Sequence, residues 1–405
     1  MSDIAITGLG LVTPAGLGTE ASWQGLCAGR SAAAKDPNLS DLEIDITCRM
    51  PDLDVGEVLG KKAVRRLDRF VQLALVAAKE AIADSGLDPE TWDGPRVAVV
   101  LGCGMGGAWT WETQHTRMLE HGPGKVSAML IPMLVPNMVA GQVAMEYGAK
   151  GPNLVTATAC ASGATAIGTA RDLLRSGACD IAITGGTEAS LSPLSIAGFA
   201  QMGALSSRID EPEAASRPFD VDRDGFVAGE ASAILVLERD DDARARGAHR
   251  HAGVAGYGAS ADAHHITAPD PEGHGAELAM TEAIRDAGLS PSDVQHVNAH
   301  GTSTPLNDAS EAATLRRVLR DDFVVTSNKG VTGHALGAAG AIEAAFTALT
   351  IERGEIPPTA NLDSQDPEIE LDIVAKAPRS QKVDVAMSDS FGFGGQNAVL
   401  VLTSV

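Results

Sequence analysis

The sequence predicts a layered α/β fold, and three observations carry that prediction. Short apolar, β-branched runs alternate along the chain with stretches that are apolar at helical spacing, the order that stacks helices on sheets. Glycine is abundant (44 residues) while aromatics make up only 3% of the chain, so the helices must pack closely through small side chains. The second half also repeats the theme of the first, an internal duplication. With 405 residues the chain has material for a large core and two units of similar size, 1–250 and 251–405.

Residues 3–12 read as a strand with a glycine turn, and 19–29 as a short helix. The polar stretch 35–60 reads as loop. Residues 68–84 carry the helical apolar period. Residues 96–101 form a strand ending in Gly102-Cys103-Gly104-Met105-Gly106-Gly107, and 137–147 are helical. Leu154-Val155-Thr156 begins as a buried strand. The chain turns abruptly at Thr158-Ala159-Cys160-Ala161-Ser162-Gly163 into a helix that runs to Arg175 and is closed by Gly177. A strand over 180–185, a polar loop over 205–230, a strand over 232–237 and a charged helix over 239–247 complete the first half. The second half gives a strand and glycine turn at 254–258, a helix at 276–287, a strand at 294–299, a helix at 308–319 and a strand at 324–327. A small-residue helix over 335–351 has the texture of the one that follows Cys160.

Composition excludes several function classes. No apolar run is long enough to span a membrane, and the chain enters its first strand without a signal peptide. The net charge of −22 argues against general nucleic-acid binding. Five cysteines (Cys27, Cys48, Cys103, Cys160, Cys179) are scattered without metal or redox spacing, which points to a reducing cytoplasm and no metal. Gly102–Gly107 fits G-x-G-x-x-G after a strand, but no ribose-binding acid follows at the right distance, so dinucleotide binding is not expected. His264 and His265, being adjacent, point in different directions and do not build a zinc site with Asp262.

Three residues stand where chemistry is usually presented. Cys160 lies at a strand-to-helix junction, where unpaired N–H groups and the helix dipole favour a thiolate. It reads either as a covalent nucleophile or as a buried core cysteine. His300 follows a strand end in Asn298-Ala299-His300-Gly301-Thr302-Ser303-Thr304-Pro305. His334 closes Lys329-Gly330-Val331-Thr332-Gly333-His334 at the start of the small-residue helix, where the dipole favours a neutral imidazole. Each histidine taken alone also reads as a satisfied structural residue. Together, one Cys and two His suit thioester chemistry, in which an oxyanion or enolate must be stabilised. Lys329 and Glu343 read either as an ion pair orienting the histidines or as a surface pair worth at most about 1 kcal/mol. The tail Ser390-Phe391-Gly392-Phe393-Gly394-Gly395-Gln396-Asn397 reads as a flexible glycine turn with two aromatics. Lys61, Lys62, Arg65, Arg66 and Arg69 form a basic stripe on a helix, either a solvated face or a docking patch for an acidic partner.

These four motifs, around Cys160, His300, His334 and Phe393, stand in an order that resembles the β-ketoacyl-[acyl-carrier-protein] synthases, above all the synthase II group and its polyketide ketosynthase relatives. The resemblance covers nearly the whole chain, including Arg217-Pro218-Phe219-Asp220 and Arg223-Asp224-Gly225-Phe226-Val227. It implies a thiolase-like fold of two duplicated αβ halves in five layers, the first carrying the Cys and the second the two His. It implies a decarboxylative Claisen condensation of an acyl thioester on Cys160 with malonyl-carrier protein, in fatty acid or polyketide synthesis. His300 and His334 would hold the enolate, Lys329 would organise the site, and backbone N–H groups of Cys160 and Phe393 would form the oxyanion hole. Phe393, Phe391 and Met105 match gating positions. Thr302, Thr304 and Glu343 match substrate-binding ones, and Lys61, Lys62, Arg65 and Arg66 the carrier-protein docking helix. The resemblance implies no cofactor beyond the phosphopantetheine of the acyl carrier protein. It implies a homodimer, or a heterodimer with a chain-length-factor-like subunit. Departures from the family pattern are Glu230-Ala231-Ser232-Ala233, Gln396, and the pair Trp109 and Trp111, which are expected to reshape or shorten the acyl pocket.

Overall fold

The computed structural model describes residues 4–51, 53–319 and 322–405, apart from the side chains of Lys62 and Ala63. Five strands come from the first half: β1 (Ile4–Thr13), β2 (Val97–Gly102), β3 (Asn153–Thr156), β4 (Ile181–Glu188) and β5 (Ala231–Arg239). They lie side by side in the order β1-β5-β4-β2-β3. Five more come from the second half: β6 (Ala252–Ala261), β7 (His296–Asn298), β8 (Val324–Thr326), β9 (Val385–Gly392) and β10 (Gln396–Thr403). Their order, β6-β10-β9-β7-β8, is the first order over again. The duplication is therefore topological as well as textural. β1 and β6 pair only at Ala5↔Gly253 and Ile6↔Ala252, which joins the two arrays into one mixed sheet.

Six helices complete the layers: α1 (Arg69–Ser85), α2 (Met138–Tyr147), α3 (Ser162–Arg175), α4 (His274–Asp286), α5 (Pro305–Leu319) and α6 (Ala339–Arg353). Strand alternation sorts the side chains. Ile234 and Val236 of β5 join α1 and α2 in an outer core. Ala231, Ala233, Leu235 and Leu237 of the same strand face α3 and α6 in the central one. Val399 and Val401 of β10 face α4 and α5, while Ala398, Leu400 and Leu402 face the centre. The stack is thus helix, sheet, helix, sheet, helix. α6 is buried on every side from Ala339 to Ile351, as a helix between two sheets must be.

Glycine makes the close packing possible. A Cβ on Gly163 of α3 would lie 2.6 Å from the backbone N of Ala341, and one on Gly340 of α6 would lie 2.8 Å from that of Ala164. The expected glycine turns at 8–10 and 256–258 are not turns. Gly8 and Gly10 lie inside β1, and Gly256 and Gly258 inside β6. Their bare Cα atoms let the outer helices press onto the strands. Added Cβ atoms would meet the carbonyl oxygens of Ala81, Ala77, Ala283 and Ala279 at 2.1, 2.0, 2.1 and 2.0 Å. The C-terminal tail is also more ordered than a flexible turn: β9 and β10 form a hairpin, and only Phe393-Gly394-Gly395 turns.

Candidate active site

Four of the residues singled out for chemistry stand just past the carboxyl end of a strand, where α/β layers leave a crevice. Cys160 follows β3, His300 follows β7, Lys329 follows β8 and Phe393 follows β9. They surround a cavity of about 410 Å³ lined by Cys160, His300, His334, Phe391 and Phe393, with Thr302 and Thr304 along its wall.

Cys160 is placed by a strained turn. Ala159 adopts φ 48°, a left-handed conformation that costs a non-glycine residue about 1–3 kcal/mol. Ser162 holds it there: its hydroxyl accepts from the Thr158 N–H (2.9 Å) and donates to the Ala159 carbonyl (2.6 Å). The turn spans Ala159–Ala161, and α3 begins at Ser162. The Cys160 thiol is buried and receives the backbone N–H groups of Phe393 and of Cys160 itself. The structure corrects one expectation here. Burial outweighs those N–H groups and the nearby Lys329, and the thiol pKa is pushed up to about 11. The resting residue is a thiol, not a thiolate.

Both histidines are neutral, and His334 is so for a different reason from the helix dipole expected of it. Burial first, and then the Lys329 charge, hold both well below the ordinary imidazole value. The helix dipole is not the cause, because α6 starts five residues past His334. The Lys329 ammonium donates to the His300 carbonyl and lies 3.5 Å from His300 Nδ1. An ammonium can only donate, so Nδ1 accepts and Nε2 carries the proton. The two imidazoles meet edge to face with ring centroids 5.4 Å apart. One ring nitrogen of each and the Cys160 Sγ lie within 4.8 Å of one another.

Beneath the histidines is a buried charge cluster. Lys329 pairs with Glu343, and both are almost wholly buried, so the surface-pair reading is excluded. Glu343 does not line the cavity. It stands behind Lys329, and its expected place among the substrate-binding residues is corrected to a supporting one. Sequence reasoning missed Glu311, which accepts from the N–H groups of His300 (2.7 Å) and Gly301 (2.8 Å) and so fixes the turn after β7. It also missed Asp389, fully buried, whose carboxylate finds no hydrogen-bond partner among the described residues. Burial, with Glu311 and Glu343 nearby, drives its pKa well up. The one available signal was two acids a helical turn apart, Asp308 and Glu311, straight after the His300 loop.

The remaining expectations divide. Thr302 and Thr304 bond to each other through their hydroxyls at 2.9 Å on the cavity wall. The Phe391 ring packs edge-on to His300 at 5.7 Å. Met105 does not line the Cys160 cavity. It borders an adjoining groove with Trp111, Leu134, Leu194, Phe199 and Met202, and Met202 is common to both. Trp111 belongs to that groove, whereas Trp109 faces away among Glu112, Thr116 and Glu120, so only one of the two can shape it. The loop carrying Met105 is held by Glu188, also missed: this fully buried carboxylate accepts from Gly104 N–H (2.8 Å) and Met105 N–H (3.2 Å).

Lys61, Arg65 and Arg66 are exposed on a short helix and make no ion pair among the described residues, while the Lys62 side chain lies outside them. Arg69 leaves the stripe: it forms a two-pronged pair at 2.7 Å with Glu230, which is fully buried. Glu230 therefore anchors α1. Gln396 opens β10 opposite Gly392 at the base of the hairpin.

Comparison with known proteins agrees with this geometry. Residues 1–243 match the family model for the N-terminal domain of beta-ketoacyl synthases, and residues 251–363 match that for the C-terminal domain. The chain is 45% identical over 404 residues to a 3-oxoacyl-[acyl-carrier-protein] synthase 2 of Synechocystis sp., covering 98% of this chain and 97% of the relative. A Staphylococcus aureus protein of the same name is 43% identical over 403 residues, with the same coverage. Among solved structures, a beta-ketoacyl synthase from Burkholderia phymatum superposes with a TM-score of 0.94 at 34% identity, covering both chains fully. A ketosynthase chain from a type II polyketide complex with its acyl-carrier protein gives 0.92 at 32% identity, over 100% of this chain and 99% of that one.

Proposed function

The chain belongs to the beta-ketoacyl synthase family, and from that premise we propose that it joins an acyl group carried on Cys160 to malonyl-[acyl-carrier protein] by decarboxylative Claisen condensation. The observation that carries the reading is the meeting of a buried thiol and two neutral imidazoles in one cavity, each from a different strand end.

The first step is thioester exchange. Cys160 Sγ attacks the incoming acyl thioester, and the carrier's phosphopantetheine sulfur leaves with the proton that the thiol gives up. Because that proton travels with the exchange, a resting thiolate is not needed. The N–H groups of Cys160 and Phe393 that point at Sγ are placed to receive the carbonyl oxygen as it becomes an oxyanion. In the second step malonyl-carrier protein enters. The bond to its carboxylate breaks, CO2 departs, and the electron pair becomes an enolate whose oxygen is held by His300 and His334. The His300 Nε2–H, fixed by Lys329 at Nδ1, is one donor. Neutral imidazoles suit the task, since each donates without first yielding a proton. The enolate carbon then attacks the acyl-Cys160 carbonyl, and collapse expels the Cys160 sulfur, which recovers a proton. Thr302 and Thr304 give the pantetheine arm a polar wall. The reading calls on no cofactor from this chain other than the carrier's phosphopantetheine.

The partners follow from the surface. Lys61, Arg65 and Arg66 offer a basic face to an acidic carrier protein, on a chain whose own net charge is −22. β3 is an open sheet edge, with Leu154 45% exposed beside the exposed Met145, and Ile131, Leu194 and Trp111 add further exposed apolar surface. An edge of this kind requires covering. We assign it to a second copy or to a chain-length-factor-like subunit; solved ketosynthases of the same fold are complexed with chain length factors. No helix among the described residues is long and apolar enough to cross a membrane, and the cytoplasm is the proposed location.

The test is intact mass after incubation with acyl-carrier proteins of several chain lengths. An acyl adduct on the parent and none on Cys160→Ala is expected. An adduct that survives in Cys160→Ala contradicts the assignment.

A further inference from the structure

We propose that His249, His251 and Glu352 form a site for a zinc-class divalent cation at the seam between the two halves, remote from the catalytic cavity. His249 and His251 stand on the segment that leads into β6, and Glu352 stands in the last turn of α6. The site lies at the opposite end of β6 from Asp262, a cavity residue, so about 30 Å separates the two, at ~3.3 Å per strand residue.

The argument is geometric. His249 Nε2 lies 2.8 Å from Glu352 Oε1, and His251 Nδ1 lies 2.7 Å from Oε2 of the same carboxylate. The two rings stand perpendicular with centroids 4.6 Å apart, and each turns one nitrogen toward the same carboxylate. The three ligand atoms lie within 4.8 Å of one another. Zinc at about 2.0–2.2 Å from each ligand needs them ~3.3 Å apart, a sub-ångström opening of the two nitrogen–oxygen spacings. The other nitrogen of His251, Nε2, lies 2.8 Å from Asp84 Oδ2 at the end of α1. That carboxylate is itself fixed by the Leu9 N–H at 2.8 Å. This is the arrangement that orients a metal-bound imidazole: a carboxylate on one nitrogen frees the other for the ion. His251 and Asp84 are thus ordered before any ion arrives, whereas the His249 side chain is 59% exposed, which provides an entry path and an open fourth position for water.

On binding, the cation replaces the protons that His251 Nδ1 and His249 Nε2 share with Glu352: the one on His251 goes to solvent, and the neutral His249 ring carries its proton on Nδ1 instead. The ion would then tie α6 of the second half to the incoming strand β6 and, through Asp84, to α1 of the first half. A cation bound only by the folded chain raises its thermal stability.

The cluster Cys160–His300–His334 also places sulfur and nitrogen close together, so the test is made in the tag-free full-length Cys160→Ser/His334→Ala protein. Zinc titration by calorimetry is expected to show one equivalent, and cobalt is expected to give the visible spectrum of a low-coordinate nitrogen–oxygen site. In the same background His249→Ala, at an exposed position, and Glu352→Gln, a conservative change, are each expected to weaken zinc at least ten-fold and to abolish the zinc-induced rise in Tm. His249→Ala in the otherwise native protein should condense at the parent rate in the presence of a chelator. Absence of a zinc equivalent in the parent background, or binding undiminished by either substitution, overturns the proposal.

Discussion

The turn before α3 and the turn before α6 are the same piece of backbone used in two ways. Ala159 has φ 48° and Leu336 has φ 46°, each a non-glycine residue in the left-handed region. Each is the first residue of a one-turn 3-10 helix, Ala159–Ala161 and Leu336–Ala338, and each long helix then presents a glycine to the other. The residue after the strained one is Cys160 in the first half and Gly337 in the second. The first turn thus points a thiol into the cavity. The second has no side chain to point: a Cβ on Gly337 would lie 2.4 Å from Gly104 N and 2.7 Å from Glu188 Oε2. Its role is to let the Met105 loop close against the second half. Duplication supplied two equivalent strained positions, and one was kept for the nucleophile while the other was emptied for packing. The histidines, Lys329 and the acids Glu311, Glu343 and Asp389 all belong to the second half, so the active site exists only where the halves meet.

Five substitutions or measurements break or sharpen that comparison. The largest effect is expected from Cys160→Ala: condensation falls by on the order of 10⁴-fold or more, while Tm stays near the parent value because the alanine Cβ fits where the cysteine Cβ was. Removal of an imidazole comes next. His300→Ala or His334→Ala should slow CO2 release from malonyl-carrier protein by about 10²–10³-fold, the usual worth of one lost donor to an oxyanion. The third is a pH profile. A pKa raised from 9.0 to about 11 leaves ~100-fold less thiolate at pH 8 than a free cysteine has. Iodoacetamide modification of Cys160 should therefore keep accelerating through pH 10, and a plateau near pH 9 would show that the thiol is not buried as described. The fourth is Gly337→Ala, the mirror of Cys160→Ala. It should cost about 1–3 kcal/mol by overpacking, lower Tm in calorimetry, and alter the range of acyl chains accepted. The smallest effect belongs to the docking face. Lys61→Glu with Arg66→Glu should reduce kcat/KM for carrier-bound substrate by ~10-fold at low salt and less at high salt, with the alkylation rate of Cys160 unchanged.

Much of this was legible in the sequence, for identifiable reasons. Cys160, His300 and His334 stand at strand–turn–helix punctuation, where short-range signals are strongest. The duplication was legible from matching small-residue helices. What was not legible depends on partners distant in sequence. Gly8 and Gly256 look like turn formers, and only the helices Arg69–Ser85 and His274–Asp286 pressing on them reveal their use. The Cys160 pKa depends on how completely residues distant in sequence bury the thiol, among them Leu39, Ile196, Phe226 and Leu336, so the local argument from a helix N-terminus gave the wrong direction. Arg69 read as one more basic residue until Glu230, from another element, claimed it. Glu188 and Asp389 carry no local mark at all: a lone acid in a strand looks the same whether it anchors a loop or faces solvent.

The most direct test of the central claim, that the first half holds the acyl chain and the second half manages the loss of CO2, follows both steps in the same samples. Cys160→Ala and His334→Ala are incubated with acyl- and malonyl-carrier protein, and intact mass and CO2 release are recorded together. Cys160→Ala is predicted to release CO2 and carry no adduct; His334→Ala is predicted to carry the adduct and release little CO2. A His334→Ala protein that releases CO2 at the parent rate, or a Cys160→Ala protein that becomes acylated, would contradict it.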